Sequence, residues 1–317
     1  MRAGRTIRVG LTGASSDLGR LLMPKLLDDE RVEELVVFDV SRPDGLPAPV
    51  HFERVDLLRP GVDVELSRAL GATRVDALFH LAFVNSRVHR AAFAHELEVL
   101  GTLNVLAAAG QARVGRLIVP SLTALYGARR QAAAYLPESS ALHPVPGIRF
   151  VNDRIEVERA VAEFAERFSD LEVLTLRFAP IVGERSNNPF TRLVRTKVVP
   201  TVLGFDPLWQ VVHEDDAARA LHLALHTRAK GVFNIVGEGV APVSALLQQA
   251  GATPVPLPGP LLRSAIAAME AAGLPASPWA LMDFFRYAWL ADGTRAAREL
   301  HFLPHLPVHE AMATMRR

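Results

Sequence analysis

The chain has 317 residues, half of them hydrophobic, and its 35 basic and 34 acidic side chains leave a net charge of +1. That balance carries no electrostatic footprint for nucleic acid or an anionic membrane surface, and no uncharged apolar run reaches the ~18 residues of a spanning helix. Cysteine is absent, which excludes disulfides, thiolate metal ligands and a cysteine nucleophile. The length suits one large core, or a main domain with a smaller one. A first strand beginning near residue 7 leaves no space for a leader, so a cytoplasmic location is expected.

Residues 7–11 form an apolar run, and Thr12-Gly13-Ala14-Ser15-Ser16-Asp17-Leu18-Gly19 follows it. A helical pattern comes next, then a second apolar run at 35–38 that ends on Asp39. Strand, small-residue turn, helix and acid-capped strand make a dinucleotide-binding unit. The turn lets backbone approach a pyrophosphate, the helix N-terminus offers amides, and the acid accepts from a ribose hydroxyl. Asp39 lies twenty residues after Gly19, close to the ~20 that the fingerprint expects. Gly13, Ser15, Ser16, Asp17, Leu18 and Gly19 are therefore the candidate phosphate turn. Its middle glycine is replaced by Ser16 or Asp17, depending on the count. A serine amide can still donate, whereas a carboxylate would repel a pyrophosphate, so Asp17 is expected to cap the helix. Asp39 also favours NAD(H) over NADP(H), because it would meet a 2′-phosphate with like charge.

Alternation continues. A third strand at 50–55 ends at Asp56-Leu57, a fourth spans 75–82, a long helix runs from about 87 to 112, and a fifth strand covers 115–121. Residues 127–147 hold no sustained period and read as a loop over the site. A helix at 150–168 and a strand at 171–178 follow. Strands alternating with helices predict an α/β fold, a Rossmann-type doubly wound parallel sheet. From about 179 the alternation loosens, with short strands at 197–202 and 209–213, a helix at 214–226, a strand at 232–236 and short helices over 242–316. The expected division is a dinucleotide-binding domain over 1–180 and a smaller substrate-binding lobe over 181–317, some of whose elements return to the main domain. Segment 279–290 concentrates aromatics, either as plain core or as the wall of an apolar pocket.

In this order, the landmarks resemble the extended short-chain dehydrogenase/reductase family, the NAD-dependent epimerase/dehydratase group. The resemblance covers roughly residues 6–255. It rests on Thr12-Gly13…Gly19, Asp56-Leu57, His80-Leu81-Ala82, Gly101-Thr102-Leu103-Asn104, Ser121…Leu125-Tyr126-Gly127, the run from Leu176 to Gly183, the run from Trp209 to Ala217, and Phe233-Asn234-Ile235. It implies that Asp56 and Leu57 hold the adenine end and that Leu81 and Ala82 line the cofactor. It implies that Asn104 braces the site, and that Ser121, Pro180, Ile181 and Val182 shape the nicotinamide end.

The family's chemistry needs a serine or threonine, a tyrosine, and a lysine four residues after the tyrosine. One helical turn puts the lysine on the tyrosine's face, where its charge lowers the phenol's pKa from ~10 toward the working pH. The matching positions here are Leu122, Phe150 and Arg154. Phe150 has no proton to exchange, and Arg154 does not titrate near neutrality, although its donors could hold a ribose. Four residues beyond Tyr126, Tyr135 and Tyr287 stand Arg130, Ser139 and Ala291, so Tyr-x-x-x-Lys occurs nowhere.

Candidate substitutes remain open on sequence alone. Tyr126 and His213 could exchange protons, or could be a structural phenol and a helix-start residue. His80 could do so too, or could make a buried hydrogen bond. Tyr135 and Glu138 could close from the loop, and Asp153 is expected to face solvent. His222 and His226 stand four residues apart without a glutamate between them, so no metal is expected. The expected function is an NAD-using oxidoreductase or isomerase with a non-standard active site on a small, apolar substrate. The alternative is a cofactor-holding pseudoenzyme acting as a redox sensor or partner subunit. A homodimer through about 87–111 and 150–168 is expected, because the first helix is apolar on two faces.

Overall fold

A computed structural model describes residues 6–83, 91–145, 148–271 and 279–316. The chain opens with β1 (Ile7–Thr12), α1 (Asp17–Leu27), β2 (Val32–Asp39), β3 (His51–Arg54), α2 (Val62–Ala72) and β4 (Ala77–His80). Next come α3 (Ala91–His95), a π turn (Glu96–Leu100), α4 (Gly101–Gln111), β5 (Arg116–Leu122), α5 (Arg149–Arg167) and β6 (Glu172–Phe178). The second half contributes β7 (Ile181–Val182), α6 (Pro189–Arg195), β8 (Val198–Val202), β9 (Leu208–Trp209), β10 (Val212–His213) and α7 (Glu214–His226). It continues with β11 (Gly231–Ile235), β12 (Ala241–Pro242), α8 (Val243–Gln249), β13 (Thr253–Leu257), α9 (Gly259–Ala271), α10 (Thr294–Glu299) and α11 (Val308–Ala313).

Seven strands form one sheet in the order β11-β6-β5-β4-β1-β2-β3, with every pairing parallel. Its central strands are nearly continuous apolar runs because helices cover both faces. On one face Val9, Leu11 and Phe79 pack with Leu22 and Leu26 of α1 and Leu221 and Leu225 of α7. On the other, Val36, Phe38 and Leu78 meet Leu66 and Leu70 of α2, Val105 and Leu106 of α4, and Val157 and Val161 of α5. The strand order reverses between β1 and β4, which opens a crevice at the carboxyl ends of the strands. Among the described residues, no helix is long and apolar enough to cross a membrane.

Two elements depart from the sequence expectation, and a third resolves an open one. Of the long helix expected over about 87–112, residues 87–90 lie outside the described residues, and the remainder is broken by the π turn, which carries Glu98 into a buried position. The single strand expected at 209–213 is two. β9 pairs antiparallel with β12, and β10 pairs parallel with β7. Between them the Gln210 side chain turns inward to bond both backbone groups of Ala291, at 2.7 and 3.2 Å. In the aromatic segment, Phe284, Phe285 and Trp289 join Trp209 in the core of the second half. The Trp209 indole donates to the Phe284 carbonyl at 2.7 Å. The helix expected at 214–226 starts and ends where the sequence places it.

Candidate cofactor and active site

The nucleotide turn is built by close approach. Gly13 has φ +71°, and a Cβ there would lie 2.4 Å from the Ala82 nitrogen. A Cβ on Gly19 would lie 2.5 Å from the Gly13 carbonyl oxygen, so only glycine lets α1 dock on the turn. The cap of α1 is Ser16, whose hydroxyl accepts from the Gly19 amide at 3.1 Å. This corrects the expectation for Asp17, which occupies the first helical position and accepts from the Asn187 amide at 2.9 Å. Ser15 is exposed on the turn, and Leu18 packs onto the core below it.

At the end of β2, Asp39 accepts from the Val40 amide at 2.8 Å through one oxygen, while the other is buried without a hydrogen-bond partner. Burial pushes its carboxyl pKa up, against the backbone amides of Val40, Ser15 and Ala14. An orphaned buried acceptor beside a glycine turn fits a ribose hydroxyl. Leu57 is buried, Asp56 is exposed and accepts from the Leu58 amide at 3.0 Å, and Asn104 donates to the Leu57 carbonyl at 2.8 Å. Asn104 thus braces the Asp56-Leu57 turn. Leu81 and Ala82 continue from β4, the Leu81 amide bonding the Thr12 carbonyl at 3.0 Å.

The opposite half of the crevice is organised around α5. Phe150, in its first turn, is 41% exposed. Arg154 one turn later is buried, with its guanidinium carbon 3.7 Å from the centre of the Phe83 ring and one nitrogen 3.6 Å from a Glu98 oxygen. It also donates to the Pro120 carbonyl at 3.3 Å. Leu122 packs with Leu125, Ile148, Val151 and Ile155, where the family keeps a hydroxyl. Asp153 is buried and bonds the His95 ring at 2.8 Å, which corrects its expected exposure. The π turn brings α3 beside α5, and this pair ties them.

Beneath lies a network that sequence reasoning missed. Arg177 donates to both Glu158 oxygens at 2.6–3.0 Å, to the Tyr126 hydroxyl at 2.8 Å and to the Glu138 carbonyl at 3.0 Å. Ser121 donates to Glu158, and Tyr126 donates to the Asn234 side chain at 2.8 Å. Asn234 bonds the carbonyls of Leu136 and Asp292, each at 3.0 Å, and its amide donates to the Glu138 carboxylate at 2.9 Å. Burial raises the Tyr126 pKa despite the Arg177 guanidinium. One signal was available: an arginine inside an apolar strand must find a buried partner.

His80 sits between the hydroxyls of Thr12 (2.8 Å) and Thr102 (3.0 Å). Thr102 donates to the Glu98 carbonyl at 2.5 Å, so we assign the His80 Nε2 proton to Thr102 and the Thr12 proton to Nδ1. Burial, helped by Arg154, lowers its pKa to about 3. His213 caps α7, its Nδ1 accepting from the Asp215 amide at 3.3 Å. Pro180 accepts from the Val212 amide at 3.1 Å, Ile181 from the Asn188 side chain at 2.7 Å, and Val182 is buried. Tyr135 stays largely exposed.

The sequence model of the NAD dependent epimerase/dehydratase family matches residues 9–236. An uncharacterized protein of Mycobacterium tuberculosis is 28% identical over 256 residues, which is 78% of this chain and 67% of that protein. The UDP-glucose 4-epimerase of Thermotoga maritima, solved with UDP-glucose, superposes with a TM-score of 0.74 at 19% identity, over 98% of this chain and 97% of that one. A dTDP-glucose 4,6-dehydratase of Streptomyces venezuelae, solved with NAD, gives 0.72 at 21%, over 98% and 95%. At these identities the structural likeness shows a shared fold.

Proposed function

Because the chain belongs to the NAD dependent epimerase/dehydratase family, we propose that it is an oxidoreductase or isomerase that uses NAD(H) on a small, apolar substrate without the family's phenol relay. The carrying observation is the pair of positions one turn apart on α5. Phe150 has no ionisable group, and Arg154 is held by Phe83, Glu98 and Pro120. The glycine turn and the orphaned Asp39 oxygen support cofactor binding, with Asp39 selecting NAD(H) by repelling a 2′-phosphate. Asp56, Leu57, Leu81, Ala82, Pro180, Ile181 and Val182 would flank it along the crevice, and Arg154 would face its ribose end. Ser121, Asn104 and Tyr126 act as positioning residues, since their polar groups already bond Glu158, Leu57 and Asn234.

When bound, the nicotinamide supplies or accepts hydride. The protein's part is to bind, orient and exclude water. A quinone or conjugated enone suits such a site, because hydride addition leaves a stabilised oxyanion that water can protonate. A positioned acid–base group is ordinarily worth 10²–10⁴-fold, so sugar-nucleotide epimerisation, which must remove a hydroxyl proton, is not expected. The exposed Phe93, Leu100 and Leu103 on α3–α4 support a homodimer paired through these helices and α5. Light scattering returning 34.5 kDa would refute that pairing.

The test is calorimetric titration with NADH and NADPH, followed by single-turnover transfer from 4-deuterated NADH to a panel of quinones and enones. Tighter NADH binding with deuterium in a product supports the enzyme. Binding without transfer supports the second reading, a redox sensor, which the fully bonded Arg177 network favours. Binding of neither nucleotide defeats both.

A further inference from the structure

The amino-end edge of the sheet, opposite the crevice, carries a second cluster. Spacing alone argued against a metal at His222 and His226, since no acid stands between them. The carboxylate comes instead from Asp29, in the turn between α1 and β2 and 193 positions before His222. Both imidazoles aim at one oxygen of it, His222 Nε2 at 2.8 Å and His226 Nε2 at 2.5 Å. The three donor atoms all lie within 4.8 Å of one another. The other Asp29 oxygen is fixed by the Arg31 amide at 3.0 Å and its guanidinium at 3.3 Å.

We propose that Asp29, His222 and His226 bind a divalent transition metal of the zinc class. Two histidines four apart on one helix face the same way, as in helical zinc motifs, and a carboxylate completes a two-nitrogen, one-oxygen set. Each imidazole now spends its Nε2 proton on the same oxygen. A metal would take the two Nε2 positions, each neutral imidazole then carrying its proton on Nδ1, and would satisfy all three groups at once. Ligands about 2.1 Å from a tetrahedral ion stand ~3.4 Å apart, so the carboxylate oxygen need withdraw by less than about 1 Å. Arg31 opposes the ion's charge, and its bond to the far oxygen leaves Asp29 a monodentate ligand.

Three protein ligands leave a position for water or an outside ligand. His226 also lines an open cleft of about 460 Å³ shared with Glu299 and His301. A bound metal would pin the last turn of α7 to the α1–β2 turn, joining segments nearly two hundred residues apart.

The experiment uses the full chain without a histidine tag, titrated with Co²⁺ and followed by its visible absorption bands and by thermal unfolding. One Co²⁺ per chain with four- or five-coordinate bands is expected, displaced by Zn²⁺, with Tm raised by several degrees. His222→Gln and, separately, Asp29→Asn should weaken binding more than tenfold and abolish the Tm response. NADH affinity should stay unchanged in both, which separates this site from the crevice. Absence of a stoichiometric Co²⁺ complex in the parent chain overturns the proposal. So does an equal complex in both variants. The parent measurement decides even if one variant fails to fold.

Discussion

The two ends of the crevice have been treated differently. At the nucleotide end, groups that would meet a ligand are left waiting: a turn kept close by Gly13 and Gly19 and an Asp39 oxygen without a hydrogen-bond partner. At the α5 end most polar groups are turned inward and bonded to each other, from Ser121 through Glu158, Arg177 and Tyr126 to Asn234, and Arg154 keeps one buried nitrogen, Nε, without an acceptor. The positions nearest the expected chemistry carry Leu122 and Phe150. Binding and proton transfer are thus separable properties of this fold, because different strands carry them. The polar machinery at the α5 end holds the 127–145 loop in place.

The largest effect should come from breaking that inward network. Arg177→Leu leaves the buried Glu158 without its cation, a loss of about 3–5 kcal/mol, read as a fall of about 5–8 °C in Tm for a chain of this length. Arg177→Leu with Glu158→Leu should recover much of it. Equal losses in the single and double variants would show that the pair is not the element at stake.

Acid should weaken the fold next. His80 is neutral in the folded chain, with a pKa near 3, against 6.5 when unfolded. Below pH 6.5 the unfolded chain binds the extra proton, so stability is complete above 6.5 and falls toward pH 3. The slope is at most about 1.4 kcal/mol per pH unit. Urea unfolding at pH 8, 6 and 5 measures it, and His80→Gln should flatten this part of the profile.

At the nucleotide end, Asp39→Ala should weaken NADH binding by about 10–100-fold, the worth of a hydrogen bond to a charged group. The preference over NADPH should narrow in the same calorimetric titration. The smallest effect on stability is expected for Phe150→Tyr, within about 0.5 kcal/mol, because the residue is exposed. A gain of ketone reduction with NADH in that variant would show that only the phenol had been lost. Arg154→Lys should cost more, since a compact ammonium does not replace the guanidinium's close contact over the Phe83 ring together with its reach to Glu98 and Pro120.

The parallel strands were legible because strands buried on both faces read as apolar runs, and Gly13, Gly19 and Asp39 because their spacing is local. Asp17 was misread by one position, since Ser16 competes for the cap and its hydroxyl reaches the Gly19 amide. Asp153 was misplaced because its partner, His95, comes from a helix that the π turn shifts in phase. That turn also bears on the two-faced apolarity of the 87–112 stretch, where Val99 and Val105 are buried while Leu100 and Leu103 are exposed. The Arg177 network and the Asp29 cluster join residues far apart in sequence. No period or spacing announces such pairs.

The placement of α7 has a consequence for how the protein is made. The apolar stripe of α1, with Leu22 and Leu26, is covered by Leu221 and Leu225, and the outer strand β11 follows directly. Arg116 also reaches the α7 carbonyls of Ala224 and Leu225, at 2.7 and 3.1 Å. A ribosome therefore exposes α1 long before its cover exists. About 200 residues separate them, which is roughly 10–40 s of synthesis at ~5–20 residues per second. For that interval the nascent chain carries a sticky, half-dressed sheet, and a message truncated near codon 180 would yield a product fit for chaperones and proteases rather than a working nucleotide-binding half.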